Sequence, residues 1–352
     1  MSEDFWLDIE DVAVQPADRP LVLQIEDISK VEPLGKQFGV DPKRSVPDVL
    51  YPAVFGAQDS AMPCFAILDA GKVENLPEML ATSGLEHRCL FKGETAEELS
   101  EVAPWLVRLE DGNKFTTGLF TRSNAPWHLW DHQPGLYLRS SASFDQLWQH
   151  LRKFTRICDE AGNWFYFRFW DNGSLIDYLR YADGRAECDL RPIFGFDAQD
   201  PLRPLVRSYI HAGNDHAVIS TATRISGHNT RPRTKFDMPV LRFLALRNHA
   251  HRFADSFFAG QTLRPETRRK AHDTAARVAL HFHAHGFKSR YHLGSFVYWT
   301  LALNRDFETA SPRIQQEISA TTSDAEARFI AISREMRALF GNNIRNFHGH
   351  RV

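Results

Sequence analysis

The pattern of apolar and polar positions divides the chain into a part built from short elements and a part built from long helices. Between residues 63 and 185, short apolar runs alternate with brief amphipathic stretches, which is typical of an α/β domain. From residue 238 onward, apolar positions recur with helical periodicity, which predicts a helical bundle. We therefore predict an α/β domain with a mixed sheet and short helices, followed by an all-α helical lobe. The clearest predicted strands cover residues 64–69, 87–91, 105–109 and 136–138.

Two further segments flank the predicted α/β domain. The first is acidic, contains prolines and carries one candidate strand over residues 21–25. The second is rich in proline and ends in a polar, basic stretch over residues 226–237. The predicted segments are a partly ordered N-terminal extension (1–62), the α/β domain (63–185), a connector (186–237) and the helical lobe (238–352).

Residues 136–171 are predicted to be the folding centre of the α/β domain, as a strand, a helix and a hairpin. Ser143 is placed to cap the helix, and Gln146, three residues later, completes a capping-box pattern. The aromatic run over residues 164–170 is predicted to be a strand near the centre of a sheet, covered on both faces. The apolar stripe of the helix consists of Phe144, Leu147, Trp148 and Leu151.

Charge is distributed unevenly along the chain. Residues 1–185 carry 18 basic and 29 acidic side chains, a balance of −11, whereas residues 186–352 carry 24 against 15, a balance of +9. The two lobes could therefore attract each other or present surfaces of opposite sign to different partners. The basic residues of the second part are dispersed among acids and apolar positions, so we predict no nucleic-acid binding.

Neither targeting nor a membrane location is expected. No apolar run approaches the roughly 20 residues that a membrane-spanning helix requires, so no stable membrane insertion is predicted. The acidic first residues do not have the basic start and apolar core of a signal peptide. The four cysteines are scattered without the spacing of a metal or redox motif, which favours buried free thiols in a reducing compartment. We expect a cytoplasmic protein.

Four ordered sequence blocks resemble one known family. The segment from about residue 65 to residue 181 resembles the domain of unknown function 4123, found in the adaptor proteins, or effector chaperones, of type VI secretion. One departure is visible, because Asp171 is followed by Asn172 and Gly173 where the family usually has Asp-Pro-Arg. The blocks are FAILDAG (65–71), CLFKGETAEELSEVAPWLVRLE (89–110), LYLRSSASFDQLWQHLRKF (136–154) and FYFRFWD (165–171).

The resemblance implies a protein that is not an enzyme and needs no cofactor. Proteins of this kind bind a toxin effector in the producing cell and deliver it to the spike protein of the secretion machine. The expected partners are therefore a toxin effector protein and a secretion spike protein. A variable helical lobe commonly follows the domain, and the helical pattern from residue 238 onward agrees with this organisation.

Two other functions remain as alternatives. Histidines at residues 249, 251, 281 and 285 could serve a metal-dependent hydrolase, although on a helix His283 points away from the face that His281 and His285 share. Their spacing does not include the acid of the H-E-x-x-H motif, so a structural or surface role is favoured over a bound metal. The remaining alternative is a scaffold or immunity-type protein that binds toxin but not spike.

Strand-end acids and exposed aromatic residues are the remaining site candidates. Asp69 and Asp171 could form a catalytic acid pair. A structural role is favoured, in which each acid caps the turn or helix that follows it, or one of them pairs with Arg168. Pro104 ends a helix and Ser143 begins one, so both are structural motif residues. The candidate partner-binding residues are Trp127, Trp130, Phe258, Tyr298 and Trp299. For Trp127 and Trp130, a partner hot spot and a lid over the local core are equally supported, whereas helix packing is favoured for Tyr298 and Trp299.

Overall fold

A computed structural model describes residues 21–347, and these described residues form two compact units that meet in sequence between Met238 and Pro239. The first unit is α/β and the second is helical. This confirms the predicted fold class. Within the described range, the structure leaves out residues 38, 41, 57–61, 159–163, 172, 184–188, 197–199, 201–202, 214–215, 226–237, 321–323 and 342–343.

Nine strands form two sheets among the described residues of the α/β unit. The larger sheet has seven strands in the order β1-β9-β8-β5-β2-β4-β3, and every pair of neighbours is antiparallel. β6 and β7 form a separate two-stranded ribbon. The strands are β1 (Leu21–Ser29), β2 (Cys64–Asp69), β3 (His87–Cys89), β4 (Pro104–Leu109), β5 (Gly135–Ser140), β6 (Arg156–Cys158), β7 (Trp164–Tyr166), β8 (Val206–Gly213) and β9 (His216–Ile225).

The strand β2 lies inside the seven-stranded sheet and is fully buried. β2 pairs on one side with β4 and on the other with β5, and all six of its residues are buried. A strand covered on both faces needs apolar residues at successive positions, which explains the unbroken run Cys64-Phe65-Ala66-Ile67-Leu68.

Short helices accompany the seven-stranded sheet. The α-helices described in this unit are α1 (Tyr51–Val54), α2 (Leu76–Ser83), α3 (Glu94–Glu98), α4 (Lys114–Leu119), α5 (Phe144–Leu151), α6 (Ser174–Ala182) and α7 (Arg191–Phe194).

Both segments that flank the predicted α/β domain contribute strands to its sheet. β1 lies in the segment predicted as an extension, and it pairs along its whole length with β9 from the segment predicted as a connector. β8, also from that connector, pairs with β5 and so joins both added strands to the sheet. The pattern along one strand does not identify a partner almost two hundred residues away, so the size of this sheet became evident only in three dimensions.

The aromatic run was wrongly predicted as a central, covered strand. Only Trp164, Phe165 and Tyr166 are extended as β7, and all three are exposed. Phe169 and Trp170 are buried, but they lie beyond the end of that strand. Residues 164–167 are all aromatic, so they contain no alternation of apolar and polar positions that would reveal an exposed face. This is why the pattern suggested burial on both sides.

The helical unit is organised around a cluster of aromatic rings. Phe296 lies at its centre, with ring centroids 4.3 Å from Phe282, 5.3 Å from Phe307 and 5.5 Å from Trp299. Trp299 also stacks on Phe329 at 5.8 Å. None of the described helices combines the length and the apolar character that a membrane crossing requires. The long helices are α8 (Met238–Phe257), α9 (Pro265–Ala284), α10 (Arg290–Leu303), α11 (Pro312–Ser319) and α12 (Ala325–Phe340).

The capping box at the start of α5 yields a first prediction. The Ser143 hydroxyl accepts a hydrogen bond from the Gln146 backbone amide at 3.3 Å, and the Gln146 side chain accepts one from the Ser143 amide at 3.0 Å. Ser143→Ala should lower the free energy of unfolding by about 1 kcal/mol, because a first-turn amide loses its acceptor. Urea unfolding followed by circular dichroism measures this loss. Ser141→Ala, an exposed serine just before the cap, is the control, and an equal effect of both substitutions would contradict the assignment.

Candidate functional site

Four charged side chains meet at the end of β2, and we call them the sheet-end cluster. Asp69, the last residue of β2, is fully buried and accepts a hydrogen bond from Arg168. Its other oxygen accepts one from the Gly71 amide at 3.1 Å. Lys72 forms an ion pair with Asp171, whose second oxygen lies 3.8 Å from Nε of Arg168. Each carboxylate therefore faces a cation, and the structure contains the Arg168 pair that the sequence suggested.

The electrostatics of the cluster are dominated by burial. Burial raises the pKa of Asp69, while Arg168 and Lys72 act in the opposite direction. His211 on β8 is close enough to be influenced by Lys72 and Asp171, and burial lowers its pKa to about 4. His211 is therefore neutral near pH 7.

The arrangement of the cluster is that of a structural clamp. Asp69 ends a central strand, whereas Arg168 and Asp171 belong to the segment between β7 and α6. The ion pairs thus attach that segment to the sheet, next to the buried side chains of Phe169 and Trp170. A pair of acids acting in proton transfer needs environments that separate their pKa values and leave one of them open to a substrate. Here both acids are engaged by cations, which favours a structural role.

The structure separates the two tryptophans predicted as partner-binding residues. Trp127 is 61% exposed, whereas Trp130 is only 2% exposed and packs 6.4 Å from Phe120. Trp130 therefore belongs to the core and Trp127 to the surface.

The predicted partner-binding residues of the helical unit are also divided between core and surface. Trp299 is fully buried within the aromatic cluster. Tyr298 and Phe258 are half-buried, and their rings lie 5.2 Å and 4.8 Å from that of Phe257. The Tyr298 hydroxyl donates to Ser256 at 2.9 Å. Tyr298 on α10 thus packs against the end of α8, next to Phe258, and both Tyr298 and Phe258 remain partly accessible.

The histidines considered for a metal site have other neighbours. The His251 ring stacks on His272 at 4.5 Å, and His272 bonds to Asp255 at 2.9 Å. His281 lies 3.2 Å from Glu308. Within the part of the chain that the structure describes, no group of three or more histidine, cysteine, aspartate or glutamate side chains is arranged to hold a metal ion.

An exposed surface missed by the sequence predictions lies on the ribbon formed by β6 and β7, and we call it the aromatic ribbon. Trp164 and Tyr166 are 62% and 60% exposed, and Phe165 is 45% exposed. The Arg156 guanidinium lies over two of these rings, 5.3 Å from Trp164 and 5.7 Å from Tyr166. Three adjacent exposed aromatic residues are typical of a partner-binding surface. The aromatic run itself was visible in the sequence, but its exposure was not.

A second arginine–aromatic group is found on α5 and β3. Trp148 lies under both Arg152, at 4.7 Å, and Arg88, at 5.2 Å. Its indole nitrogen donates to the Cys89 carbonyl at 2.7 Å, which holds the ring in place. Phe91, two residues beyond Cys89, contacts Tyr166 of the aromatic ribbon at 6.2 Å. The ribbon is thus connected to this group through Phe91.

Comparison with known proteins assigns the central part of the α/β unit to a family. Residues 64–187 match the family model described as Domain of unknown function (DUF4123). This confirms the family suggested by the four sequence blocks. The match covers about a third of the chain and contains both the sheet-end cluster and the aromatic ribbon. Neither the curated proteins nor the solved structures gave a match to the chain.

The clamp at the end of β2 of the DUF4123 domain yields a second prediction. Arg168→Gln should lower the free energy of unfolding by about 2 kcal/mol near neutral pH, because the buried Asp69 carboxylate loses its main cation. The pKa of Asp69 is already raised by burial, and the substitution raises it further. As pH rises through the folded pKa of Asp69, the carboxyl ionises and the variant loses stability relative to the wild type. Below that pKa the carboxyl is neutral, so the difference in the free energy of unfolding between variant and wild type should shrink at acidic pH.

Urea unfolding at several pH values measures this effect. In the Asp69→Asn background, Arg168→Gln should have a much smaller and pH-independent effect, since no buried charge is left unpaired. Equal losses in both backgrounds would contradict the clamp.

The two tryptophans yield a third prediction. Trp130→Ala should destabilise the domain by about 3–5 kcal/mol, because it leaves a large cavity in the core. Trp127→Ala should change the free energy of unfolding by less than about 0.5 kcal/mol, as expected for an exposed side chain. Thermal and urea unfolding of the two variants provide the comparison, and similar losses would show that Trp127 is packed.

Proposed function

We propose that this protein is a type VI secretion adaptor, or effector chaperone, that acts in the cytoplasm of the producing cell. It binds a toxin effector, keeps it soluble and loads it onto the spike protein. The observation that carries the proposal is the DUF4123 domain at residues 64–187. The sequence blocks of this domain resemble those of adaptors of this kind. The helical unit that follows it agrees with the organisation expected of such adaptors.

The chemistry of the domain supports a binding role over a catalytic one. Its strand-end acids, Asp69 and Asp171, are engaged by Arg168 and Lys72. Three of its exposed aromatic residues, Trp164, Phe165 and Tyr166, lie together on the ribbon, where they are available to a partner. We therefore expect neither catalytic activity nor a requirement for a cofactor.

The charges of the two units support two different partners. Residues 239–352 of the helical unit carry 17 basic and 9 acidic side chains, whereas residues 12–238 carry 25 basic and 30 acidic side chains. Surfaces of opposite net charge attract different proteins and repel unsuitable ones. An adaptor that bridges an effector and a spike needs two such surfaces.

Co-expression provides the fourth prediction. The tagged protein should co-purify with the toxin and with the spike protein encoded in the same secretion gene cluster, and it should increase the soluble fraction of the toxin. A toxin and a spike protein from a different secretion cluster are the matched controls. Co-purification with neither cognate protein would contradict the proposal, and co-purification with the toxin alone would favour the scaffold or immunity-type alternative.

A further inference from the structure

We propose that the aromatic ribbon, together with Arg152 and Arg156, binds an acidic, extended segment of a partner protein. This inference rests on the proposed function and deepens it, because it assigns one partner contact to a surface of the DUF4123 domain. The surface comprises the exposed rings of β7 and the two guanidiniums that lie over neighbouring aromatic rings.

The two guanidiniums are available for carboxylates. Arg156 lies over Trp164 and Tyr166, and Arg152 lies over Trp148. Among the described residues, neither arginine forms an ion pair with an acid, in contrast to Arg88, which pairs with Asp145 at 2.7 Å. A guanidinium held over an aromatic ring retains the planar fork of N–H donors that binds a carboxylate through two hydrogen bonds. Each stacked arginine is thus oriented in advance for an acidic side chain.

The ribbon geometry favours an extended segment. In the described part of the chain β7 pairs with β6 on one side and with no strand on the other, so the outer edge of β7 can bond to an added strand. A two-stranded ribbon is marginally stable in water, and an added strand supplies main-chain hydrogen bonds. Side chains of the added strand would then alternate between the exposed rings and the solvent.

The charge of the domain favours a short acidic peptide over a nucleic acid. Arg152, Lys153 and Arg156 form a local group of three cations within five residues. The domain as a whole, residues 64–187, carries 13 basic and 18 acidic side chains. A nucleic acid needs cations along a continuous track of phosphates, and an acidic domain repels such a polyanion. A few carboxylates aligned with the arginines match the local group better.

The experiment uses the full-length protein and overlapping peptides that span the cognate toxin and spike protein. Fluorescence anisotropy should identify binding peptides that are acidic, and their affinity should fall as salt increases. Arg156→Gln, Arg152→Gln and Trp164→Ala should each weaken binding about ten-fold, since each removes a charged hydrogen-bonding group or a central aromatic contact. Arg156→Lys should restore only part of the affinity, because an ammonium cannot bind a carboxylate with the guanidinium fork.

Matched control variants separate a specific site from general effects. Leu339→Ala removes a large apolar side chain that is 47% exposed in the helical unit, and Arg44→Gln removes an exposed arginine that pairs with Asp48. Both controls should bind the peptides like the wild type. Circular dichroism should show that every variant is folded, as expected for exposed positions.

The remaining outcomes each overturn the inference. If the cognate proteins co-purify with the protein but no peptide binds, or if binding is insensitive to the ribbon variants, the proposed function stands and this surface assignment is wrong. The assignment is equally wrong if a single-stranded oligonucleotide displaces the peptides and itself binds more tightly, or if the ribbon variants abolish self-association instead. If neither cognate protein co-purifies, both the proposed function and the assignment fail.

Discussion

The buried carboxylate of Asp69 is the constraint on which the DUF4123 domain depends. It ends the central strand β2 inside the fold, where an ionised acid is costly unless cations and hydrogen-bond donors surround it. The protein supplies Arg168, Lys72 and the Gly71 amide. Because Arg168 lies almost a hundred residues further along the chain, this local requirement determines where a distant segment must attach.

The attachment of that segment has consequences for the surface. Phe169 and Trp170 follow Arg168 directly and are buried, whereas Trp164, Phe165 and Tyr166 precede it and are exposed. One aromatic run thus supplies both core and surface, and the clamp lies where the chain changes from one to the other. The strand-end acids Asp69 and Asp171 thus hold the segment that directly follows the aromatic ribbon.

Much of the fold could be predicted because it depends on local physical chemistry. The apolar run of β2, the capping box at Ser143 and the periodicity of the long helices each follow from neighbouring residues. The family likewise followed from blocks of consecutive sequence. The pairing of Arg168 with a strand-end acid could be predicted as well. Arg168 and the acids lie in or next to apolar sequence, where a buried charge needs a partner of opposite charge.

The sequence by itself determined the fold class, the family and the start of α5, all of which rest on short-range patterns. Only the tertiary structure decided that β1 pairs with β9, that Trp130 is buried while Trp127 is exposed, and that β7 lies on the surface. Burial stabilises an apolar side chain, but the residues that cover it come from elsewhere in the chain. Exposure is therefore a property of the assembled fold, which is why the aromatic ribbon emerged as a candidate site only in three dimensions.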